Sequence, residues 1–207
     1  MRNDAGQLVV DATGHPQKTS KKAYLGNYQP DWTGGMFNVI NYKNLAFKFL
    51  IDARIGGQLY SGTDARLDAS GVSERTLAGR EDGIVVDGVV NTGTADEPVW
   101  EKNTVNIPIE EYFGSISGAA SEYIYDQTNI RLRELSLTYK MPSSLFSKMG
   151  IKGVSIGLVG RNLMFFKNAL ENFDPESTYS TSNFAQGVLF YNLPSTKSLG
   201  VNLRVKF

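Results

Sequence analysis

Five stretches of the chain alternate apolar and polar residues with a period of two, which is typical of strands with one nonpolar face. They lie near residues 34–43, 45–60, 123–140, 153–166 and 196–207. In LAFKFLIDARI, for example, Leu45, Phe47 and Phe49 fall on one face and Lys48 falls on the other. The alternation is cleaner still in the closing SLGVNLRVKF and weakest in the first stretch. We therefore predict an all-β protein with five long strands.

The third stretch, NIRLRELSLTYK, changes character along its length. Its alternation places Leu135, Leu137 and Tyr139 on one face, and the same period continued upstream adds Arg131 and Arg133 to that face. The pattern thus predicts one face that is charged at one end of the strand and apolar at the other.

The connections between these stretches have two very different lengths. The first two stretches are joined by little more than Asn44, whereas the long connections occupy residues 1–33, 61–122 and 167–195. Connections in compact soluble domains usually have about 4 to 6 residues, but outer-membrane barrels pair short periplasmic turns with long extracellular loops. The alternation of lengths therefore predicts part of an antiparallel transmembrane β-barrel whose long loops are extracellular.

Aromatic residues cluster at both ends of the predicted strands, as large rings do at membrane interfaces. The residues predicted at the periplasmic end are Tyr42, Tyr139 and Phe207. Those predicted at the outer end are Trp32, Tyr60, Tyr123, Phe165 and Phe166. This distribution favours a membrane-spanning sheet.

Charge and cysteine content remove several classes of function. The chain has 21 Lys and Arg residues and 21 Asp and Glu residues, so no overall field draws it to nucleic acid. The absence of cysteine excludes disulfides, a thiolate nucleophile and a cysteine zinc site. The single histidine, His15, lies in the turn-like TGHPQ and is expected to be a solvated loop residue. We expect no enzymatic activity and no cofactor or metal.

The segments NIRLRELSLTYKMPSSLFSKMGIKGVSIGLVGRNLMFF, DPES and TKSLGVNLRVKF resemble the C-terminal end of SusC/RagA-like TonB-dependent outer-membrane transporters. LGNYQPDWTGGMFNVINYKNLAFKFLIDARIGGQLYS resembles the barrel segment upstream of it, and SGVSERTLAGREDGIVVDGVV resembles a long extracellular loop of the same family. The resemblance covers essentially the whole chain, in family order.

This resemblance implies a bacterial outer-membrane location and a role in the uptake of oligosaccharides or peptides, driven through TonB. It also implies a 22-stranded barrel with a plug, and a SusD-like lipoprotein partner over the extracellular mouth. The chain holds about five barrel strands and no plug or TonB-contacting segment, so we expect it to be a C-terminal barrel fragment. A fragment of this size is not expected to transport anything alone, because its edge strands expose unpaired backbone groups.

Four charged residues are candidates for lining the lumen of the barrel: Lys48, Asp52, Arg54 and Arg161. They either line the transport path or pair across strands as part of the wall. Pairing within the wall is the favoured interpretation.

Two groups of loop residues are candidates for contact with the substrate or the partner. Trp100, Tyr112 and Phe113 either stack on a sugar ring or pack the core of their own loop, and packing is favoured. Asp174 and Glu176, in NFDPESTY, either present paired carboxylates or open a turn, and the turn is favoured because Asp before Pro is a common turn opener.

Phe207, the last residue of the alternating SLGVNLRVKF, resembles the terminal aromatic residue that the barrel-assembly machinery reads. The alternative is that this ring only packs against lipid, and the two roles are compatible.

A second class of function stays open at the level of sequence: a stand-alone β-rich module that binds carbohydrate. Such a sandwich would bury the apolar face of its strands against a second sheet, and it would not need aromatic residues at both strand ends. Whether the apolar face is covered by a second sheet or left exposed therefore distinguishes the two hypotheses.

Overall fold

The chain folds mostly into β-strands, with a few short helices, in the computed structural model, which describes residues 1–146, 150–170, 173–177, 179–180 and 182–207. The strands are β1 (Val9–Val10), β2 (Trp32–Tyr42), β3 (Leu45–Ile55), β4 (Gln58–Ser61), β5 (Ile84–Val85), β6 (Val89–Asn91), β7 (Trp100–Lys102), β8 (Asn106–Ile107), β9 (Ile124–Asp126), β10 (Asn129–Lys140), β11 (Gly153–Asn168), β12 (Val188–Leu189) and β13 (Ser198–Lys206). The α-helices are α1 (Gly62–Ala69) and α2 (Ile109–Ile116), and 3-10 turns occur at Glu74–Thr76, Ala120–Tyr123, Ser143–Leu145 and Asn183–Ala185.

Two compact units make up the chain. The loop unit comprises Met1–Gly26, Tyr60–Ile124 and Val188–Tyr191. The sheet unit comprises Asn27–Leu59, Tyr125–Gly187 and Asn192–Phe207. The long connection 167–195 is divided between them, and its positions 171, 172, 178 and 181 lie outside the described residues.

The sheet unit is built on five long antiparallel strands in the order β2, β3, β10, β11, β13. Each strand is therefore hydrogen-bonded to the next long strand along the chain. The reversal from β2 to β3 takes only two residues, and the first of them, Lys43, has a positive φ of 50°. This up-and-down order is the simplest way to join antiparallel strands whose neighbours in sequence are neighbours in space.

Two of the predicted strands are each divided in the structure. The stretch 45–60 breaks between β3 and β4 at Gly56 and Gly57, which have φ values of 76° and 81° that favour glycine. The stretch 123–140 contains β9 and β10, with Gln127 and Thr128 between them. The long strands β3 and β10 are consequently shorter than the alternating stretches that contain them.

The pairing of β10 shifts at Arg133, which has no partner in the register with β3 or with β11. Beyond this bulge, Arg131 lies opposite Asp52 and Leu132 lies opposite Ile51. The prediction that Arg131 shares a face with Leu135 and the apolar residues after it is therefore wrong. A bulge adds one residue and so exchanges the faces of everything upstream of it.

The loop unit has its own small sheets and a buried core. β1 pairs in parallel with β6, β6 pairs antiparallel with β7, β5 pairs antiparallel with β8, and Val188 of β12 lies opposite Tyr60 of β4 in a parallel pair. The core residues include Val10, Val86 and Ile107. The fold is thus mostly β rather than all-β, because the long connections contain the helices α1 and α2. Their parallel strand pairs also depart from a purely antiparallel arrangement.

Helix α1 begins at an N-cap that the sequence supplies directly. The hydroxyl of Ser61 accepts a hydrogen bond of 3.1 Å from the backbone N–H of Asp64, which satisfies one of the free donors of the first turn. In α2, Phe113 and Ile116 are buried, and their spacing of three places both on one face of the helix. Helix α2 therefore places large apolar side chains in the core of the loop unit.

Candidate functional site

The two faces of the five-stranded sheet differ in chemistry, and the register shows which residues share a face. One cross-strand row runs from Ile40 through Phe47, Leu137 and Leu158 to Val201. The next row on the same face contains Tyr42, Leu45, Tyr139, Ile156 and Leu203. We call this side the apolar face.

Side chains on the apolar face are unusually exposed for large nonpolar groups. Ile40 is 54% exposed, Leu158 60% and Leu203 64%. Exposure of single apolar residues is normal, but a continuous apolar surface on a folded protein marks a site of contact with a nonpolar partner or phase. The apolar face is such a surface.

The opposite face, which we call the groove face, carries a concave groove of about 620 Å³. Its charged lining residues are Lys48, Glu134, Lys140, Arg161 and Arg204. Small and polar side chains from the same strands lie between them, including Ala46, Ser136, Thr138, Ser155, Gly157 and Asn202. A Cβ at Gly157 would come within 2.9 Å of the Thr138 hydroxyl oxygen, so this position on the groove face is too tight for a larger residue.

β2 departs from this division, in keeping with its weak alternation. Phe37 lies opposite Leu50 on the groove face and Asn38 lies opposite Phe49 on the apolar face. The other four long strands follow the division more closely.

The four residues proposed to line a lumen all lie on the groove face, but they have different surroundings. Lys48 borders the groove, and the Arg161 Nε donates to Glu134 Oε2 at 3.0 Å. Arg54 lies opposite Asn129 and its Nη1 is 3.5 Å from Gln127 Oε1. Asp52 accepts a hydrogen bond from Arg133.

Arg131 and Arg133 form the centre of an ion-pair cluster on this face. Arg131 is paired with Asp174, and its Nη1 lies 3.4 Å from Glu176 Oε2. Arg133 donates to both carboxylate oxygens of Glu176, at 2.8 and 2.7 Å, and to Asp52. The bulge makes this possible, because it turns both arginines to the groove face and away from the apolar face on which regular alternation would place them.

The Arg131 side chain is the most deeply buried charge of the cluster. Its side chain is 2% exposed, that of Asp174 is 5% exposed, and the guanidinium lies 4.2 Å from the centroid of the Phe165 ring. A charge so far from water needs a paired partner, and a planar guanidinium stacks favourably on an aromatic ring. Phe165 is thus a support for Arg131, and not a membrane-interface ring as the sequence predicted.

Asp174 and Glu176 bind the sheet instead of presenting free carboxylates to a ligand. Asp174 also forms a turn, since its Oδ1 accepts the backbone N–H of Glu176 at 3.0 Å. Burial raises the pKa of Asp174, but the Ser195 hydroxyl, the Glu176 N–H and Arg131 together outweigh burial and hold the pKa below its ordinary value. The carboxyl therefore stays ionised within the cluster.

In the loop unit, the three aromatic candidates have separate environments. Phe113 is 5% exposed and packs in the core, whereas Tyr112 is half-buried against the Val10, Val86 and Ile107 cluster. Trp100, on β7, is 37% exposed. Trp100 is therefore the one of the three with the most ring surface available for contact.

A buried carboxylate, which sequence reasoning missed, organises the loop unit. Asp68 is 2% exposed and accepts hydrogen bonds from Arg75 Nε at 2.8 Å and from the Tyr123 hydroxyl at 2.9 Å. The Arg75 guanidinium lies 5.3 Å from the centroid of the Phe113 ring and 5.2 Å from that of Tyr123. Tyr123, which the sequence placed at a membrane interface, is fully buried here. The role of Asp68 as the acceptor for Arg75 and Tyr123 has no sequence signal, because it is a single Asp in a short helix.

His15 is less solvated than its turn-like context suggested. Its Nε2 lies 2.9 Å from Glu111 Oε2, and its Nδ1 lies 2.9 Å from the Thr13 hydroxyl.

Phe207, the candidate terminal aromatic residue, directly follows β13 and is 78% exposed.

Among the described residues, no group of three or more His, Cys, Asp or Glu side chains is arranged to hold a metal ion. Within the same residues, no helix is long and apolar enough to cross a membrane.

No protein-family model matches the chain, but its sequence is similar to those of several TonB-dependent receptors. TonB-dependent receptor P3 of Formosa agariphila is 26% identical over 208 residues, which cover 98% of this chain and 19% of the receptor. TonB-dependent receptor P26 of the same organism is 27% identical over 213 residues, which cover 97% of this chain and 20% of the receptor.

Solved structures show the same fold. A structure of the RagAB peptide importer in the closed-closed state aligns with a TM-score of 0.62 and 19% identity, over 100% of this chain and 20% of the matched chain. The open-open state aligns with a TM-score of 0.60 and 21% identity, over 87% and 17%.

The chain thus spans about a fifth of the length of these relatives. The relatives are receptors and an importer, not enzymes, in line with the non-enzymatic function expected from the sequence. These alignments agree with the alternating strands of the sequence and with the antiparallel order of the sheet. The chain is homologous to a portion of the TonB-dependent receptors of the SusC/RagA type.

Proposed function

We propose that the chain forms part of the wall and the extracellular loops of an outer-membrane TonB-dependent importer. The observation that carries this proposal is the sheet with one exposed apolar face and one polar, grooved face. The strands β2, β3, β10, β11 and β13 are then adjacent wall strands of a barrel that the rest of the receptor completes.

The apolar face fits the hydrocarbon of a bilayer. Wall strands of outer-membrane barrels alternate apolar residues outward and polar residues inward. Leu137 and Ser136 show this division at neighbouring positions, since Leu137 lies in the apolar row and Ser136 lines the groove. Lipid in contact with the apolar face removes from water the side chains that the sheet itself leaves exposed.

The ends of the sheet support a larger barrel in the same way. β2 and β13 stand at the two ends of the strand order among the described residues. Backbone N–H and C=O groups at such edges cannot stay unpaired in hydrocarbon, so each edge needs a further strand. Strands of the parent receptor outside these 207 residues supply those partners in the proposal.

The proposed orientation follows from the connections. The short β2–β3 reversal and Phe207 lie at the periplasmic rim, and connections 1–33, 61–122 and 167–195 lie outside the cell. A receptor built in this way works with a SusD-like lipoprotein over the loops and with the TonB complex on the periplasmic side. Phe207 ends the apolar row of β13 and serves the barrel-assembly machinery as a recognition residue.

Lys48, Asp52, Arg54 and Arg161 are lumen-facing in this arrangement, and Trp100 is the loop residue best placed to contact a substrate. The Asp174 and Glu176 carboxylates fasten their connection to the wall through Arg131 and Arg133. The cargo is an oligosaccharide or a peptide, and the peptide importer among the structural relatives favours the peptide.

Single cysteines in a parent receptor without other cysteines test the proposal, and these 207 residues contribute none. Leu137→Cys and Ser136→Cys are introduced separately into the parent receptor, and intact outer membranes are treated with a lipid-soluble or a water-soluble maleimide. We expect Leu137→Cys to react mainly with the lipid-soluble reagent and Ser136→Cys mainly with the water-soluble one. Equal water-soluble labelling of both would contradict a lipid-facing apolar face.

A stand-alone carbohydrate-binding module is the competing assignment, and the exposure of the apolar face counts against it. A sandwich would cover Leu158 and Leu203 with a second sheet. If the isolated 207 residues proved to be soluble, folded and monomeric without detergent or denaturant, the competing assignment would gain and the wall assignment would lose.

A further inference from the structure

Cations at two places on the groove face differ in how they are neutralised. At one end, Arg131 and Arg133 are paired with Asp52, Asp174 and Glu176. Around the groove, Arg161 is paired with Glu134. In the part of the chain that the structure describes, no carboxylate oxygen lies within 4.0 Å of the charged nitrogens of Lys48, Lys140 or Arg204.

Lys48, Lys140 and Arg204 surround one depression. Lys140 and Arg204 both lie opposite Ser155, on the two strands that flank β11. Neighbouring strands are about 4.8 Å apart, so the backbones of these two residues are separated by about 10 Å. Lys48 lies opposite Ser136, four residues before Lys140 and thus about 13 Å along the strand direction.

The floor between these cations is made of small residues. Ala46, Thr138, Gly157 and Asn202 form the row between that of Lys48 and that of Lys140. Little side-chain volume therefore fills the centre of the groove, and long basic side chains stand at its rim. A concave site with a net excess of positive charge concentrates anions, and the effect increases as water is excluded.

The whole chain has no net charge, so the excess of positive charge belongs to the groove and not to the chain as a whole. The chain has equal numbers of acidic and basic residues, whereas the groove is lined by four cations and one carboxylate. A wall with only structural ion pairs would leave no cation without a carboxylate, as in the cluster where Arg131 and Arg133 meet three carboxylates. Within the described residues, these cations around the groove therefore have no carboxylate partner.

We propose that this groove recognises acidic peptides as they pass along the wall, with Lys48, Lys140 and Arg204 as the residues that select for carboxylate side chains. This inference rests on the proposed import function and specifies the charge of the cargo. A peptide in extended form covers the 13 Å between Lys48 and Lys140 with about four residues. Asp or Glu side chains of such a segment can reach cations on both sides of the small-residue floor.

The test uses the parent receptor in cells and two labelled hexapeptides that differ only by three Asp→Asn exchanges. The variant is Lys48→Gln with Arg204→Gln. We expect the ratio of acidic to neutral peptide uptake, each measured at a concentration well below KM, to fall about tenfold, since each exposed charge contact contributes a few-fold.

The matched control is Glu134→Gln with Arg161→Gln, which changes two charged residues of the same groove but keeps its net charge. We expect the control to change the uptake ratio less than twofold. Surface labelling of each receptor with an antibody corrects for the amount in the outer membrane.

The wild-type receptor gives a second measurement that does not depend on a variant. We expect its preference for the acidic peptide to weaken when NaCl is raised from about 0.05 M to 0.5 M, because the Debye length falls several-fold. A preference that salt leaves unchanged would contradict charge selection.

The outcomes separate this inference from the function on which it rests. Import of both peptides with no preference for the acidic one, or equal loss of both in the Lys48 and Arg204 variant, overturns only the acidic-peptide inference. Inhibition by oligogalacturonate but not by excess acidic peptide overturns it in favour of an anionic glycan. If neither peptide nor neutral oligosaccharides enter through the wild-type receptor, the proposed import function itself fails.

Discussion

The two units of this chain place their apolar residues in opposite ways. The loop unit buries Val10, Ile107 and Phe113 in a small core, as a water-soluble domain does. The sheet unit leaves Leu158 and Leu203 more than half exposed in the adjacent rows of its apolar face. One polypeptide thus contains a unit built for water and a unit built for contact with a nonpolar phase.

The same contrast applies to buried charge. In the loop unit, Asp68 is buried and bound by Arg75 and Tyr123, and in the sheet unit Arg131 is buried and bound by Asp174. Buried charges in both units are paired, as desolvation requires. The units therefore differ in how they treat apolar surface, but they follow one rule for buried ions.

Removing the aromatic core of the loop unit should produce the largest effect. We expect Phe113→Ala to destabilise the unit by about 3–5 kcal/mol, because a buried ring leaves a cavity and Arg75 loses one of its two aromatic contacts. Hydrogen exchange of the α2 amides measures the loss. Trp100→Ala, at a partly exposed site, should protect those amides nearly as well as wild type, and similar losses in both variants would contradict a core centred on Phe113.

A charge on the apolar face tests the other side of the comparison. We expect Leu135→Arg, opposite Phe49 on the apolar face and four residues from the interfacial Tyr139, to destabilise the parent receptor in the membrane by about 2–4 kcal/mol, the cost of a cation near the bilayer midplane on the lipid face of a barrel. Urea unfolding in lipid vesicles measures it. Val72→Arg, on the exposed surface of the loop unit, should change stability by less than about 0.5 kcal/mol. Equal tolerance of both substitutions would mean that the apolar face lies in water.

The ion-pair cluster provides a smaller and more local effect. We expect Asp174→Asn to destabilise the attachment of residues 173–177 by about 2 kcal/mol, since it leaves Arg131 buried with only Glu176 nearby. Asparagine keeps the local turn, so the loss reports the charge. Hydrogen exchange of this segment measures it, with Glu134→Gln at an exposed pair as the control, for which less than about 1 kcal/mol is expected.

Protonation of Asp174 at low pH should open the same segment in the wild type as Asp174→Asn does. The folded pKa of Asp174 is lowered from its ordinary value of 3.8, so its stabilising contribution is present above about pH 4 and is lost as the pH falls through the folded pKa. The wild-type segment should therefore open below that range, while Asp174→Asn should show no such step. A wild type that shows no acid-induced opening beyond that of Asp174→Asn, down to the pH at which the whole unit unfolds, would contradict the dependence of Arg131 on the carboxylate.

Much of the sheet could be predicted from alternation because each strand carries its own period-two signal. β2, β3, β10, β11 and β13 all lie over alternating stretches of the sequence. Lys48 and Arg161 were assigned to the polar side on the same basis, and the register places them there. Local pattern is sufficient where one face of a strand meets one kind of environment along its whole length.

Alternation failed where a single residue changed the register. Arg131 was assigned to the apolar side because the bulge at Arg133 has no sequence signature that alternation can detect. Tyr123 and Phe165 were assigned to membrane interfaces, but one is buried against Asp68 and the other supports Arg131. The partner of Tyr123 lies 55 residues away in the sequence, and the partner of Phe165 lies 34 residues away on the neighbouring strand. No local sequence pattern contains contacts over such separations.

By itself, the sequence determined the number and direction of the long strands and the division of their residues between two chemistries, because side chains on a strand alternate between faces. Only the tertiary structure decided which charges are paired and which remain free around the groove. Pairing depends on distances between residues from different strands and connections, and those distances exist only once the register and its bulge are fixed.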